Sequence, residues 1–264
     1  MVVLIVLAAA VAVLAVVLVA NAARLKPTPV PDPLPPSAAA GDDAAVERFR
    51  ALLRIPTVWD LRNPDADRTA FDGFVPALRR LYPAVFEACE LELIDGRGIS
   101  LLWKGANCEL APIVLMAHHD VVDADPVGWT HEPFAADIDD GRIYARGAVD
   151  TKCVWAGLME AAERLIAEGF TPPRDVYFFS SNTEEDGGDT APHMVEHLQR
   201  IGRVPYMVVD EGGAVIDNPP LGVDIPFAVV GVSEKGVFNA SITTNADGGH
   251  AATPTLQDAT AKLV

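Results

Sequence analysis

The sequence predicts an α/β domain with a largely parallel central sheet. Two observations carry that reading. From about Asp42 onward, short apolar runs of strand length alternate with stretches of helical periodicity. Acidic and histidine clusters stand just after several of those runs, where the carboxyl ends of parallel strands would gather them along one sheet edge.

The first 20 residues, MVVLIVLAAAVAVLAVVLVA, carry no charged side chain and are long enough to cross a bilayer as a helix. Residues 1–23 are therefore read as a transmembrane anchor or signal segment. Ala20-Asn21-Ala22 resembles a secretion cleavage site, but the charged leading region of a signal peptide is missing. Arg24 and Lys26 favour a cytoplasmic C-terminal side, and two charges leave the sidedness open. Residues 24–41 form a Pro-rich, semi-rigid linker.

Residues 42–232 hold the predicted α/β domain. Helical periodicity marks AAVERFRALLR and AFDGFVPALRRLY, and strand-like runs follow at CELELI, ISLLWKG and PIVLMA. The segment CVWAGLMEAAERLIAEG is expected to set Val154, Trp155, Leu158, Ala161, Ala162 and Leu165 on one helical face, with Gly169 as its stop. Two further strand and helix steps run through DVYFFSS, APHMVEHLQRIG and PYMVVD. From Ser233 an exposed strand and the start of a helix suggest a second domain over 233–264, and the ending on Leu263-Val264 in mid-pattern reads as a truncation.

Bulk properties exclude some classes of function. A formal net charge of −17 argues against a nucleic-acid partner, which needs clustered Lys and Arg to neutralise phosphates. The three cysteines, with no Cys-x-x-Cys spacing, indicate neither a zinc ribbon nor a disulfide scaffold.

The chemistry lies in five clusters: AHHD at 117–120, GAVD at 147–150, NTEED at 182–186, VVDEGG at 208–213 and GGH at 248–250. Singly, each has an ordinary use: Asp150 as a helix cap, Glu184 and Glu185 as a solvated loop, Asp210 as a turn former. Together, imidazole and carboxylate donors suit zinc, and two adjacent metals need a shared carboxylate. Side-chain alternation along a strand turns His119 away from His118 and Asp120, into a structural role.

Those clusters, with RIPTV, WKG, GWTHEPFAADIDDGRIYARGAVDTK and EKGVFNASITTNADGGHAATP, stand in one order along nearly the whole chain after the linker. In that arrangement the sequence resembles the M20 metallopeptidases, most closely their carboxypeptidase S-like and N-acyl-amino-acid hydrolase branch. The resemblance implies a zinc-peptidase-like catalytic domain followed by the start of an α+β lid that pairs two subunits into a homodimer. It implies hydrolysis of amide bonds in peptides or N-acyl amino acids, with two zinc ions per complete site. His118 would bind one zinc, with Asp120 orienting it and Asp210 completing that site. Asp150 would bridge the metals, Glu185 would bind the other, Glu184 would be the general base, and His250 would be the lid histidine that steadies the oxyanion. Thr183, Cys153 and Asp123 depart from the family pattern, and the family's last metal-binding histidine is expected beyond this chain.

Two rival readings accompany this one. HMVEH, His193 to His197, fits a His-x-x-Glu-His metal motif, but Pro192 suggests that the helix begins just before it, which would leave both histidines on an exposed first turn. A membrane-tethered binding protein of the same fold without activity is the other. The retained Glu184 speaks against it.

Overall fold

The structure, a computed structural model, describes residues 2–24, 42–63, 67–125, 127–217, 226–233 and 240–245. The predicted linker beyond Arg24, most of the predicted lid, and His250 lie outside the described residues. The chain divides into two compact units, Met1–Val46 and Glu47–Val264.

In the first unit, α1 (Val2–Arg24) is a single 23-residue helix, apolar on every face until Asn21 and Arg24. At 1.5 Å per residue it is roughly 34 Å long, enough for a bilayer core of about 30 Å. It is the one helix among the described residues that passes such a test of length and composition, which a signal sequence also passes.

In the second unit, the elements after α2 (Asp43–Leu53) are α3 (Thr69–Leu81), α4 (Pro83–Ala88), β1 (Cys89–Ile94), β2 (Gly98–Trp103), β3 (Ile113–His118), β4 (Asp137–Asp139) and β5 (Arg142–Tyr144). Next come α5 (Lys152–Ala167), β6 (Val176–Ser181), α6 (Thr190–Arg200), β7 (Met207–Val209), β8 (Ala214–Ile216) and β9 (Phe227–Val229). The main sheet has the order β1-β2-β6-β3-β7. Strands β6, β3 and β7 run parallel, while β1 and β2 extend the sheet antiparallel from β6. The parallel strands carry the site, because their carboxyl ends share one edge. At the far end β7 is the edge strand among the described residues, its own residues 44–52% exposed.

Strand β6 is buried along its whole length, as a strand covered on both faces should be. On one face Leu52, Phe74, Leu78, Trp155, Met159 and Ala162 pack with Leu101, Ala117 and Phe178. On the other, Met194 and Leu198 of α6 meet Val114, Tyr177 and Phe179. The buried face of α5 is Trp155, Ala156, Met159 and Ala162, whereas Ala161 and Leu165 of the predicted face are exposed. The helix is thus rotated from the sequence expectation, with Trp155, Ala156, Met159 and Ala162 turned into the core shared with Leu78 and Trp103. Gly169 ends the helix as expected, with a φ of +77°.

Lys152 is fully buried at the start of α5. Its ammonium donates to the carbonyls of Leu52 and Ile55 at 3.3 and 2.6 Å, which ties the turn before α5 to the end of α2. Burial pulls its pKa down to about 7, against the opposing charge of Asp120.

Candidate metal centre

Four chain reversals at the carboxyl ends of β3, β6 and β7 and before α5 bring the site together. His118 is the last residue of β3 and 1% exposed. Its Nδ1–H donates to the carbonyl of Asp120 at 3.0 Å, and the buried Oδ1 of Asp120 lies 3.4 Å away without a hydrogen bond of its own. This contact leaves Nε2 facing outward from the strand end, where Asp150 Oδ1 is 2.9 Å away, Glu211 Oε2 3.5 Å and Glu184 Oε2 3.8 Å. From the α5 side the Thr151 hydroxyl accepts from the backbone N–H of His118 at 3.3 Å and faces its carbonyl at 3.4 Å.

The loop after β6 presents two adjacent acids because it is a tight turn. Gly187 N–H donates to Glu184 O, and Gly188 N–H donates to Thr183 O, both at 2.8 Å. A Cβ at Gly188 would lie 2.5 Å from the Thr183 side chain, so only glycine closes this turn. The Thr183 hydroxyl is buried against Thr190 at 3.0 Å, which accounts for an uncharged residue ahead of the Glu pair. Glu185 N–H donates to Asp120 Oδ2 at 3.1 Å, and the Glu185 carboxylate accepts from Val122 N–H at 3.3 Å.

Two groups of potential ligand atoms converge within 4.8 Å: His118 with Glu184 and Glu211, and His118 with Asp150 and Glu185. Of the residues singled out in the sequence, His118, Asp120, Asp150, Glu184 and Glu185 are assembled here. Glu211 joins them, while Asp210 next to it has an exposed carboxylate that accepts from the N–H of Glu211 at 2.9 Å and whose charge acts on Glu184 and Glu211. The VVDEGG segment holds two neighbouring acids, and alternation along β7 stops at Val209, so no strand pattern tells them apart.

His119 sits on the opposite side of β3, buried, with Nδ1 2.8 Å from the hydroxyl of Ser180. The structural role expected of it matches this placement. His131 stacks on Tyr144 at 4.2 Å beside the acids of β4.

The electrostatics fit a cation. Burial, reinforced by neighbouring carboxylates, raises Glu184 and Glu185 above the ordinary glutamate range and Glu211 to about 7, with His118 opposing each shift. Burial disfavours the charged form of His118, but Asp120, Glu211 and Asp150 outweigh it and push its pKa up to about 10. A proton on Nε2 thus holds carboxylates that would otherwise repel one another, a task better suited to a divalent ion. One imidazole nitrogen among several carboxylate oxygens, with an unpartnered buried Asp120 oxygen behind it, is a donor set that suits zinc.

Fold and site together define an α/β protein with a cluster of potential metal ligands on the carboxyl edge of parallel strands. A family profile described as peptidase family M20/M25/M40 matches residues 114–263, more than half of the chain, and the chain belongs to that family. It is 35% identical over 212 residues to the N-fatty-acyl-amino acid synthase/hydrolase PM20D1 of Xenopus tropicalis, covering 79% of this chain and 41% of that protein. It is 30% identical over 225 residues to a probable carboxypeptidase S-like 2 of Dictyostelium discoideum, covering 81% of this chain and 43% of that protein. The chain thus spans about two fifths of the length of these relatives. An M20 family metallo-carboxypeptidase, Sso-CP2 from Sulfolobus solfataricus, shares the fold with a TM-score of 0.52 at 20% identity, over 65% of this chain and 38% of that one.

Proposed function

We propose that this protein is a zinc-dependent hydrolase of amide bonds, acting on peptides in the manner of a carboxypeptidase or on N-acyl amino acids. The observation that carries the reading is the convergence of His118, Asp150, Glu184, Glu185 and Glu211 at the ends of separate elements. Family membership, and relatives whose names denote N-fatty-acyl-amino acid hydrolysis and carboxypeptidase activity, support the same conclusion.

In this reading His118 and Glu211 would hold one zinc and Glu185 a second, with Asp150 as a carboxylate available to either. Zinc bound there supplies Lewis acidity toward a carbonyl oxygen. The protein's own part is to hold and move protons. Asp120 fixes the His118 ring through its backbone carbonyl, so that Nε2 and not Nδ1 meets the cluster. Glu184, 48% exposed at its side chain and with its pKa raised by burial first, is placed to accept a proton at its carboxylate and return it to the leaving nitrogen. Helix α1 supports attachment to a membrane or export through one, and a homodimer through the lid belongs to the same proposal.

The test compares two neighbours in the complete protein. Glu184→Gln is expected to lower kcat by roughly 10²-fold to 10⁴-fold with zinc retained. Glu185→Gln is expected to lose zinc along with activity. Zinc content and amide hydrolysis are measured for both. Metal loss in Glu184→Gln with retention in Glu185→Gln would reverse the two roles, and full activity in both would sink the hydrolase reading.

A further inference from the structure

The HMVEH motif of α6 resolves into two separate pairs, His193 with Asp95 at 2.5 Å and His197 with Glu92 at 3.2 Å. His197 is 6% exposed, which corrects the expectation that both rings lie on a solvated surface. The charged group that neither this motif nor the carboxyl-edge cluster accounts for is Lys152, fully buried and two residues from Asp150. Burying an ammonium is costly, so its position calls for a use.

Its two acceptors do not need it. Leu52 O already accepts from Ile55 N–H at 3.2 Å, and Ile55 O from Thr57 N–H at 2.9 Å, so the end of α2 is closed without the lysine. What the ammonium adds is a link between two stretches of backbone. One is the segment after α2, where Thr57 O accepts from Val121 N–H at 3.0 Å, the Thr57 hydroxyl donates to His119 O, and Trp59 N–H donates to Val121 O at 3.1 Å. These bonds hold the chain on both sides of Asp120. The other is the turn 147–151. The Lys152 stem lies against it, since a Cβ on Gly147 would come within 3.3 Å of Lys152 Cδ. Asp150 itself projects from that turn with its side chain 64% exposed and bonded to His118 Nε2 at 2.9 Å. Its place is therefore set by the backbone beneath it.

We propose that Lys152 is the positioning residue of Asp150: its buried ammonium ties the 147–151 turn to the segment that holds Asp120, and so fixes the Asp150 carboxylate relative to the His118 imidazole. The inference rests on the reading of Asp150 as a zinc ligand and names what sets its place. Metal sites bind tightly only when their donors are held close to the productive geometry by supporting contacts, and a ligand on an exposed turn has few of its own.

The test measures zinc affinity by competition with a zinc-sensitive dye in the complete protein, for the wild type, Lys152→Met, Asp150→Asn and the double variant. Methionine keeps most of the buried stem in its packed place. Lys152→Met is expected to weaken zinc binding by roughly 10-fold to 100-fold. It should have no further effect once Asp150 is asparagine, because the lysine acts through that carboxylate. Lys152→Gln retains a donor and is expected to fall between the wild type and Lys152→Met, and it carries the same cycle where circular dichroism shows that methionine unfolds the chain. Unchanged affinity in the folded lysine variants, or an equal loss in both Asp150 backgrounds, would overturn the proposal and leave Asp150 a ligand. Equal zinc binding by the wild type and Asp150→Asn would instead remove Asp150 from the site, and this inference with it.

Discussion

His119 stacks on Phe74 with ring centroids 4.6 Å apart and planes 13° from parallel, while the adjacent His118 faces the carboxylates. Burial, then the nearby charges of Lys152 and His118, hold the His119 pKa well below its usual value, so it serves the core as a neutral ring. Replacing it with alanine removes an aromatic from a packed site and is expected to cost about 3 kcal/mol. Metal content should not change. Chemical denaturation and metal analysis of His119→Ala check both halves, and loss of metal in the folded variant would make His119 a ligand.

Glu211 and Asp210 make opposite predictions at adjacent positions. Glu211→Gln removes a carboxylate from the cluster and is expected to weaken zinc binding by at least about 10-fold. Asp210→Asn removes an exposed charge that accepts from the next backbone N–H and acts on Glu184 and Glu211 through space, so its effect should be smaller. Competition titrations against a zinc-sensitive dye rank the two variants. The reverse ranking would restore Asp210 as the ligand.

Zinc is expected to stabilise the fold, because an ion bound to folded but not unfolded chain adds free energy by mass action. At a free concentration of 100 times Kd the gain is about 2.7 kcal/mol. For a domain of this size that is a rise in Tm of roughly 5–10 °C. Thermal melts with zinc and after a chelator should differ by that amount, and identical melts would mean that the carboxylate cluster binds no ion in the folded state.

The cysteines should differ sharply in reactivity. Burial pushes the Cys89 thiol up to about 12, whereas Cys108 is exposed. A thiolate reagent at neutral pH should label Cys108 and spare Cys89 until the chain unfolds. The sign for stability follows. Because folding raises the Cys89 pKa above its ordinary 9.0, its contribution is complete below pH 9.0 and declines as pH climbs toward about 12. Mass spectrometry of labelled protein across that range tests this, and rapid labelling of Cys89 in folded protein would contradict the burial.

Much of this was legible in the sequence because of where strands end. The run PIVLMA followed by HHD announced β3 and the histidine that ends it, and DVYFFSS before NTEED announced β6 and the acidic turn after it. What was not legible depended on partners far along the chain. The antiparallel attachment of β2 to β6 joins Ser100 to Phe179, a pairing that no local pattern encodes. The rotation of α5 was set by the residues that it meets, and the short helix α4 had too few turns to show a period. His197 looked like a solvated residue because its four-residue spacing from His193 says nothing about whether β1 lies opposite.

Strand β7 offers its outer side to whatever comes near. Among the described residues no strand pairs with that side, so its backbone donors and acceptors form a ready template, and the exposed Met207, Val208 and Val209 add adhesive side chains. Kept at high concentration, this chain should associate by strand addition, with turbidity rising steeply with protein concentration. A lysine at Val208 would act as a gatekeeper and keep the solution clear, so colloidal behaviour rather than thermal stability would set how the chain is stored and handled.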